Sequence, residues 1–260
     1  MADSTPFTAT PPTALVLLPT YNERENLPEI AKLLLAQANV RVLVIDDASP
    51  DGTGQLADAL AAASGGRLSV LHRTGKRGLG RSYLDGMKAA LATDADVVFQ
   101  MDADLSHDPK YLPDLIAAVR HVDISIGSRY LQGVSVVNWP LRRLMLSTFA
   151  NWYVRTVTGM KVRDCTAGFR CWRRDAIARM PLDRITSEGY SFQVETLFLA
   201  IEAGCTVSEV PIVFVERRVG ASKISGGVIR ESFWTPWRLV LRRAFRPRSG
   251  GAAGYNSSRS

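Results

Sequence analysis

Short apolar runs recur along the first half of the chain, and each stops abruptly in polar residues. Ala14-Leu15-Val16-Leu17-Leu18 stops at Pro19-Thr20-Tyr21-Asn22-Glu23, and residues 40–45 stop at Asp46-Asp47. Residues 68–71 stop in the glycine- and base-rich stretch 72–80, and Val97-Val98-Phe99-Gln100-Met101 stops at Asp102-Ala103-Asp104. Runs of this length predict strands buried on both faces of a parallel sheet. Between them the period changes to that of a helix. Leu27, Ile30, Leu33 and Leu34 share one helical face, with Asn22 as N-cap and Glu25 completing a capping box. Further helices are predicted through Leu56 and Leu60, over residues 81–92, and from Pro109 onward.

After Gly127-Ser128-Arg129-Tyr130 the alternation loosens. Residues 140–159 predict one helix, residues 166–172 an edge strand, and residues 192–203 another helix. Residues 207–215 predict a strand, and Pro211 within it places that strand at an edge. Alternating strands and helices build a sheet covered on both faces. Right-handed crossovers bring successive strand tips to one edge, where ligands of such sheets bind. The turn 19–23, Asp46-Asp47 and Asp102 with Asp104 are therefore expected to line one crevice. Two carboxylates one residue apart at a strand tip suit a hard divalent cation shared with substrate phosphates, although Asp-x-Asp is also ordinary turn chemistry.

Composition adds a constraint on partners. The chain of 260 residues is 46% hydrophobic and carries a net charge of +7, which favours an anionic partner. Cys165, Cys171 and Cys205 are an odd set without close pairs, which speaks against a disulfide framework or a zinc site and suits a reducing compartment. The first residues carry Asp3 and prolines rather than a basic then an apolar region, so no signal peptide is expected. No apolar run reaches membrane-spanning length. Residues 1–13 and 249–260 are expected to be disordered tails, 14–229 one domain, and 230–248 a basic amphipathic segment.

Taken together and in order, Pro19-Thr20-Tyr21-Asn22-Glu23-Arg24-Glu25-Asn26-Leu27, Ile45-Asp46-Asp47-Ala48-Ser49-Pro50-Asp51-Gly52-Thr53, Asp102-Ala103-Asp104-Leu105-Ser106-His107, Gly127-Ser128-Arg129-Tyr130 and the stretch from Arg217 to Lys223 resemble glycosyltransferase family 2. Within it they look like the polyprenol-phosphate mannosyltransferases. The resemblance spans roughly residues 14–229. It implies a GT-A fold, a Rossmann-like and mostly parallel α/β sheet flanked by helices, here with C-terminal amphipathic helices. It also implies GDP-mannose as donor, a polyprenyl phosphate as acceptor, and Mg²⁺ or Mn²⁺.

By the same resemblance Pro19, Tyr21 and Glu23 match a guanosine-contacting turn, and Ile45 and Asp47 match a base-pocket wall and a nucleotide contact. Asp102, Ala103 and Asp104 match the metal and nucleotide site, with Asp102 and Asp104 as ligands. Arg129 matches an arginine near the diphosphate and the reacting sugar, and Arg217 and Lys223 match a loop closing over the phosphates. Asp104, Arg129, Arg217 and Lys223 are thus the implied catalytic set. Some relatives carry Gln where Ser106 stands, so water is expected to complete the metal shell here. Glu23 reads equally as an acid in a helix's first turn, favoured by the dipole, and the two readings are compatible. Asp51 reads as a turn residue and Arg218 as a solvated cation.

No Ser/His/Asp or Cys/His constellation stands out, and none is required. A polyprenyl phosphate is already an anionic nucleophile, so the implied inverting displacement needs positioning and charge stabilisation rather than a base. Residues 139–153 and 233–245 set Trp, Leu, Met and Phe among arginines, which suits helices lying in a headgroup layer and equally suits core-facing helices. The expected location is peripheral, on the cytoplasmic face of a membrane, with room for a membrane-protein partner and no role for nucleic acid. Glucosyl transfer and a non-catalytic basic binding module are the competing readings. Acidic strand tips count against the latter.

Overall fold

The structure, a computed structural model, describes residues 11–75, 78–216 and 226–244, the last segment with side chains from 231 onward. The first half is a repeated strand–helix unit: β1 (Ala14–Thr20), α1 (Leu27–Leu35), β2 (Val40–Asp46), α2 (Thr53–Ala63), β3 (Leu68–His72), α3 (Leu79–Leu91) and β4 (Val97–Gln100). A 3₁₀ turn (Pro109–Tyr111), capped by the Asp108 carboxylate accepting from Lys110 N, leads into α4 (Leu112–Ala118). Then follow β5 (Ile124–Ser128), β6 (Val136–Val137), α5 (Leu141–Thr158), β7 (Arg170–Arg173) and α6 (Arg174–Arg179). The last elements are α7 (Gly189–Glu202), β8 (Val207–Pro211), β9 (Phe214–Val215) and α8 (Gly226–Ala244).

Among the described residues the main sheet has seven strands in the order β3-β2-β1-β4-β7-β5-β8, and β6 pairs with β9 in a separate two-stranded ribbon. All neighbours in the main sheet are parallel except β7, which runs antiparallel to both β4 and β5. Successive residues of β1 alternate between two cores. Leu15 and Leu17 join the core under α3, α6 and α7, while Ala14, Val16 and Leu18 join the core under α1, α2 and α4. A strand apolar at every position is the signature of a sheet covered on both sides. Gly86 lets α3 lie close against it, because a Cβ there would stand 2.5 Å from Ile45 Cδ1.

The chain places β2 on one side of β1 and, after β3, returns to place β4 on the other. That reversal is the switch point of a doubly wound sheet, and the crevice beyond the strand ends there is where such folds bind ligands. The sheet, its flanking helices and the edge position of β8 with Pro211 agree with the sequence.

Local expectations are corrected at several positions. β7 is not an edge strand but lies inside the sheet, with Cys171 and Trp172 fully buried. Its flanking arginines mimic an exposed strand, yet Arg170 is itself buried, donating to the carbonyls of Ala167, Cys165 and Gln193 and to Thr196 Oγ1. The capping box is absent: Asn26 is the N-cap of α1, without a side-chain cap bond, and Asn22 adopts φ 60° in the preceding turn. Leu33 is exposed, and Glu23 precedes the first turn of α1, where Glu29 is the acid. Near the ends of the described residues, α8 begins at Gly226, and Thr13 N donates to Asp96 Oδ2.

Candidate active site

The tips of β1, β2 and β4 open onto a crevice of about 200 Å³ lined by Pro19, Thr20, Tyr21, Glu23, Asp47, Leu79, Ser82, Asp102, Ala103 and Asp104. The turns that follow these three strands each hold one non-glycine residue in the left-handed region: Asn22 at φ 60°, Ala48 at 55° and Leu105 at 64°. Such residues cost stability and cluster at ligand sites.

The two carboxylates of Asp102 and Asp104 are set from several directions. Asp102 N donates to His107 Nδ1 at 3.1 Å, closing the 102–107 turn. Ser106 donates its N–H and hydroxyl to Asp104 Oδ1. Tyr83 donates its hydroxyl to Asp102 Oδ1 at 3.0 Å, and its buried ring stacks on Phe192. Burial, reinforced by the neighbouring carboxylates, pushes the Tyr83 phenol well above its ordinary value, so it stays a donor. Burial lowers His107, whose Nδ1 accepts a hydrogen bond, so the neutral ring with its proton on Nε2 is the form that fits.

Asp47 lines the crevice with its carboxylate engaged by the Arg73 guanidinium and by Gly78 N at 2.8 Å. It thereby anchors both described flanks of the loop between β3 and α3. Ile45, by contrast, lies in the core under α3, outside the crevice lining. Asp51 serves its own turn, accepting from Thr53 N and Oγ1 and from Arg24 N. Arg217, Arg218 and Lys223 lie outside the described residues.

A second cavity of about 200 Å³ adjoins the crevice. It shares Leu79, Asp102 and Asp104 with it and adds His107, Gly168, Arg129, Arg143, Tyr190 and Gln193. Arg129 is buried at the end of β5. Its Nε and Nη2 make a bidentate pair with Asp164 at 2.7 and 2.6 Å, and its backbone N–H donates to the same carboxylate. Burial opposes the ionised form of both partners, but their mutual attraction outweighs it: Arg129 is raised and Asp164 lowered. Arg129 also packs against the rings of Tyr130, Trp139 and Phe214, and Arg143 sits 4.2 Å from the Trp139 centroid while pairing with Glu216.

The third compartment is apolar. A groove of about 180 Å³ runs between α5, α7 and α8, lined by Leu146, Phe149, Tyr153, Val194 and Phe233 among others. It shares Arg129, Arg143, Thr166 and Tyr190 with the middle cavity. Around its mouth α5 exposes Leu141, Met145, Phe149 and Trp152, and α8 exposes Phe233, Trp234, Trp237 and Leu241. The helices are joined where Tyr153 stacks on Phe233 at 5.2 Å and donates its hydroxyl to Phe233 O. No helix of the described residues is long and apolar enough to cross a membrane.

Tyr83, Arg143, Asp164 and Gln193 join the site without having been singled out by sequence. Only Arg143 carried a local signal, as a cation in the aromatic segment 139–153.

A model of glycosyl transferase family 2 matches residues 15–186. A polyprenol monophosphomannose synthase of Mycolicibacterium smegmatis is 49% identical over 222 residues, covering 85% of this chain and 84% of its own. An undecaprenyl-phosphate mannosyltransferase of Micrococcus luteus is 46% identical over 231 residues, covering 88% and 95%. In fold the chain is similar to glucosyl-3-phosphoglycerate synthase from Mycobacterium tuberculosis. The crystal structure of that enzyme with phosphoglyceric acid gives a TM-score of 0.64 at 19% identity, covering 92% of this chain and 82% of that one. The structure with Mn²⁺, UDP-glucose and phosphoglyceric acid gives 0.63.

Proposed function

The chain belongs to glycosyl transferase family 2, and we propose that it transfers mannose from GDP-mannose to a polyprenyl phosphate, with inversion and with the help of a divalent cation. The observation that carries this reading is the continuity of the three compartments. A polar crevice ending in two carboxylates leads through a cavity flanked by two arginines into an apolar groove under surface helices. Such an arrangement fits a nucleotide at one end, a reacting sugar in the middle and an isoprenoid chain at the other. The two relatives, each aligned over more than four-fifths of its length, are named for mannosyl transfer to polyprenyl phosphates, which favours mannose over glucose.

In this reading Pro19, Tyr21 and Glu23 face the guanosine, and Asp47 holds the wall beside it. Asp102 and Asp104 hold the cation. Their two oxygen-donor side chains fit Mg²⁺ or Mn²⁺, which take a carboxylate or two and complete their shells with phosphate oxygens and water. When bound, the cation neutralises charge on the departing diphosphate. Arg129 and Arg143, where the middle cavity meets the groove, attract the acceptor phosphate and aim its oxygen at the sugar. That oxygen is already anionic, so no side chain need remove a proton. Arg217 and Lys223 remain assigned to phosphate closure by resemblance.

Titration calorimetry tests the donor assignment. GDP-mannose is expected to bind more tightly than UDP-glucose, and only with divalent metal; equal binding in excess chelator contradicts the assignment. Tyr83 provides a second check. Tyr83→Phe removes the hydroxyl that orients Asp102, and Mn²⁺ affinity, read by electron paramagnetic resonance, is expected to fall about 10- to 100-fold. Unchanged Mn²⁺ affinity would remove Tyr83 from the site.

The exposed aromatic faces of α5 and α8 suit peripheral attachment to a membrane, on its cytoplasmic side, near Arg142, Arg155 and Arg242. Trp152→Glu with Trp234→Glu is expected to release the protein from anionic vesicles in flotation at low salt. Flotation of the double variant like the wild type would show that these faces do not carry attachment.

A further inference from the structure

Gln193 lies on the first turns of α7 and is 4% exposed. Its backbone is fixed, since Gln193 O accepts from the buried Arg170 guanidinium at 2.8 Å. Its side chain lines the middle cavity, yet Oε1 has no hydrogen-bond partner among the described residues. A buried carboxamide end without a partner is unfavourable unless a ligand supplies one.

The position of that carboxamide is informative. Gly168 adjoins it in the cavity wall, and a Cβ built there would stand 3.7 Å from Gln193 Nε2, 3.7 Å from Asp102 Oδ2 and 3.6 Å from His107 Cε1. Three side chains therefore converge on the bare α-carbon of Gly168. One of them is a carboxylate assigned to the metal, and no hydrogen bond joins Gln193 to it. A group beside the diphosphate site, in the cavity between nucleotide crevice and acceptor groove, faces whatever the diphosphate carries. A carboxamide can both donate to and accept from a hydroxyl.

We propose that Gln193 is a specificity-determining residue that reads one hydroxyl of the transferred hexose. The proposal rests on the hexosyl-transfer reading above. It goes beyond that reading by assigning sugar recognition to a residue that lines the middle cavity but neither the polar crevice nor the apolar groove.

The test compares wild type with Gln193→Met and Gln193→Ala, using GDP-mannose and its 2-, 3-, 4- and 6-deoxy analogues as donors. In the wild type, one analogue is expected to lose about 10- to 100-fold in kcat/KM relative to GDP-mannose, the equivalent of one buried polar group left unpaired. In both variants GDP-mannose should fall to the level of that analogue, and the analogue itself should lose nothing further. Affinity for GDP, measured by calorimetry, should be unchanged, which reports an intact crevice. A uniform loss across all donors would make Gln193 merely structural and overturn the proposal, as would variants that handle GDP-mannose like the wild type. Should the wild type transfer from none of these donors, it is the hexosyl-transfer reading that fails, and the wild-type arm alone reveals this. The second variant guards against misfolding of the first, since alanine only removes atoms and is a good helix former.

Discussion

Asp104→Asn is expected to lower kcat/KM for sugar transfer by about 10²- to 10³-fold, the scale seen when one preorganised electrostatic group is lost from a transfer site. Asn preserves the shape of the side chain and can still accept from Ser106 N and Oγ, which now bond to Asp104 Oδ1. The turn should therefore survive, and far-UV circular dichroism and the melting temperature should match the wild type. What is lost is one of the two charges proposed to hold the cation. The Mn²⁺ concentration for half-maximal rate should accordingly rise. Turnover within a few-fold of wild type, or full activity of the wild type in excess chelator, would show that these carboxylates do not act through a metal.

Asp164→Asn is expected to cost stability as well as activity. Asp164 is fully buried and accepts three hydrogen bonds from Arg129, which is itself only 7% exposed. Removing one partner of a buried pair strands the other and costs about 3–5 kcal/mol. For a domain of this size that lowers the melting temperature on the order of 10 °C. The wild-type pH dependence follows from the same pair. Asp164 is lowered in the folded state, so its contribution is full above the ordinary carboxylate value of 3.8 and is lost as pH falls through its lower folded value. This acid-side loss should be missing from Asp164→Asn. Combining Arg129→Met with Asp164→Leu replaces the pair by apolar groups and should recover much of the stability without recovering activity. Recovery of both would make Arg129 a structural residue. Differential scanning calorimetry and initial rates on the three proteins separate the two roles.

Legibility in sequence followed the range of the interactions. The strand tips were readable because each element is local: an apolar run, a polar stop, a helix. The crossover rule gathers Pro19, Glu23, Asp47 and Asp102 into one crevice, and the structure brings them together there. The interior place of β7 is not legible locally: the charge of Arg170 is absorbed by carbonyls of Cys165, Ala167 and Gln193, contacts that no local pattern encodes. Asp164 is 35 residues from Arg129, and Tyr83 is 19 from Asp102, so neither pairing leaves a periodic trace. Ile45 ends an apolar strand beside Asp46, but the two-residue alternation sends its side chain into the core. The apolar segments of α5 and α8 could have been core or surface by sequence; their exposed aromatics resolve that in favour of surface.

In the proposed reaction the sugar passes to a phosphate whose tail lies in the apolar groove between α5, α7 and α8. The most direct measurement gives the protein radiolabelled GDP-mannose and divalent metal with two competing acceptors, a short polyprenyl phosphate in detergent and water-soluble phosphoglyceric acid. Label should appear in the organic phase as a polyprenyl phosphate sugar, and the soluble phosphate should neither accept it nor compete appreciably. Transfer to phosphoglyceric acid, with none to the lipid, would contradict a polyprenyl phosphate acceptor.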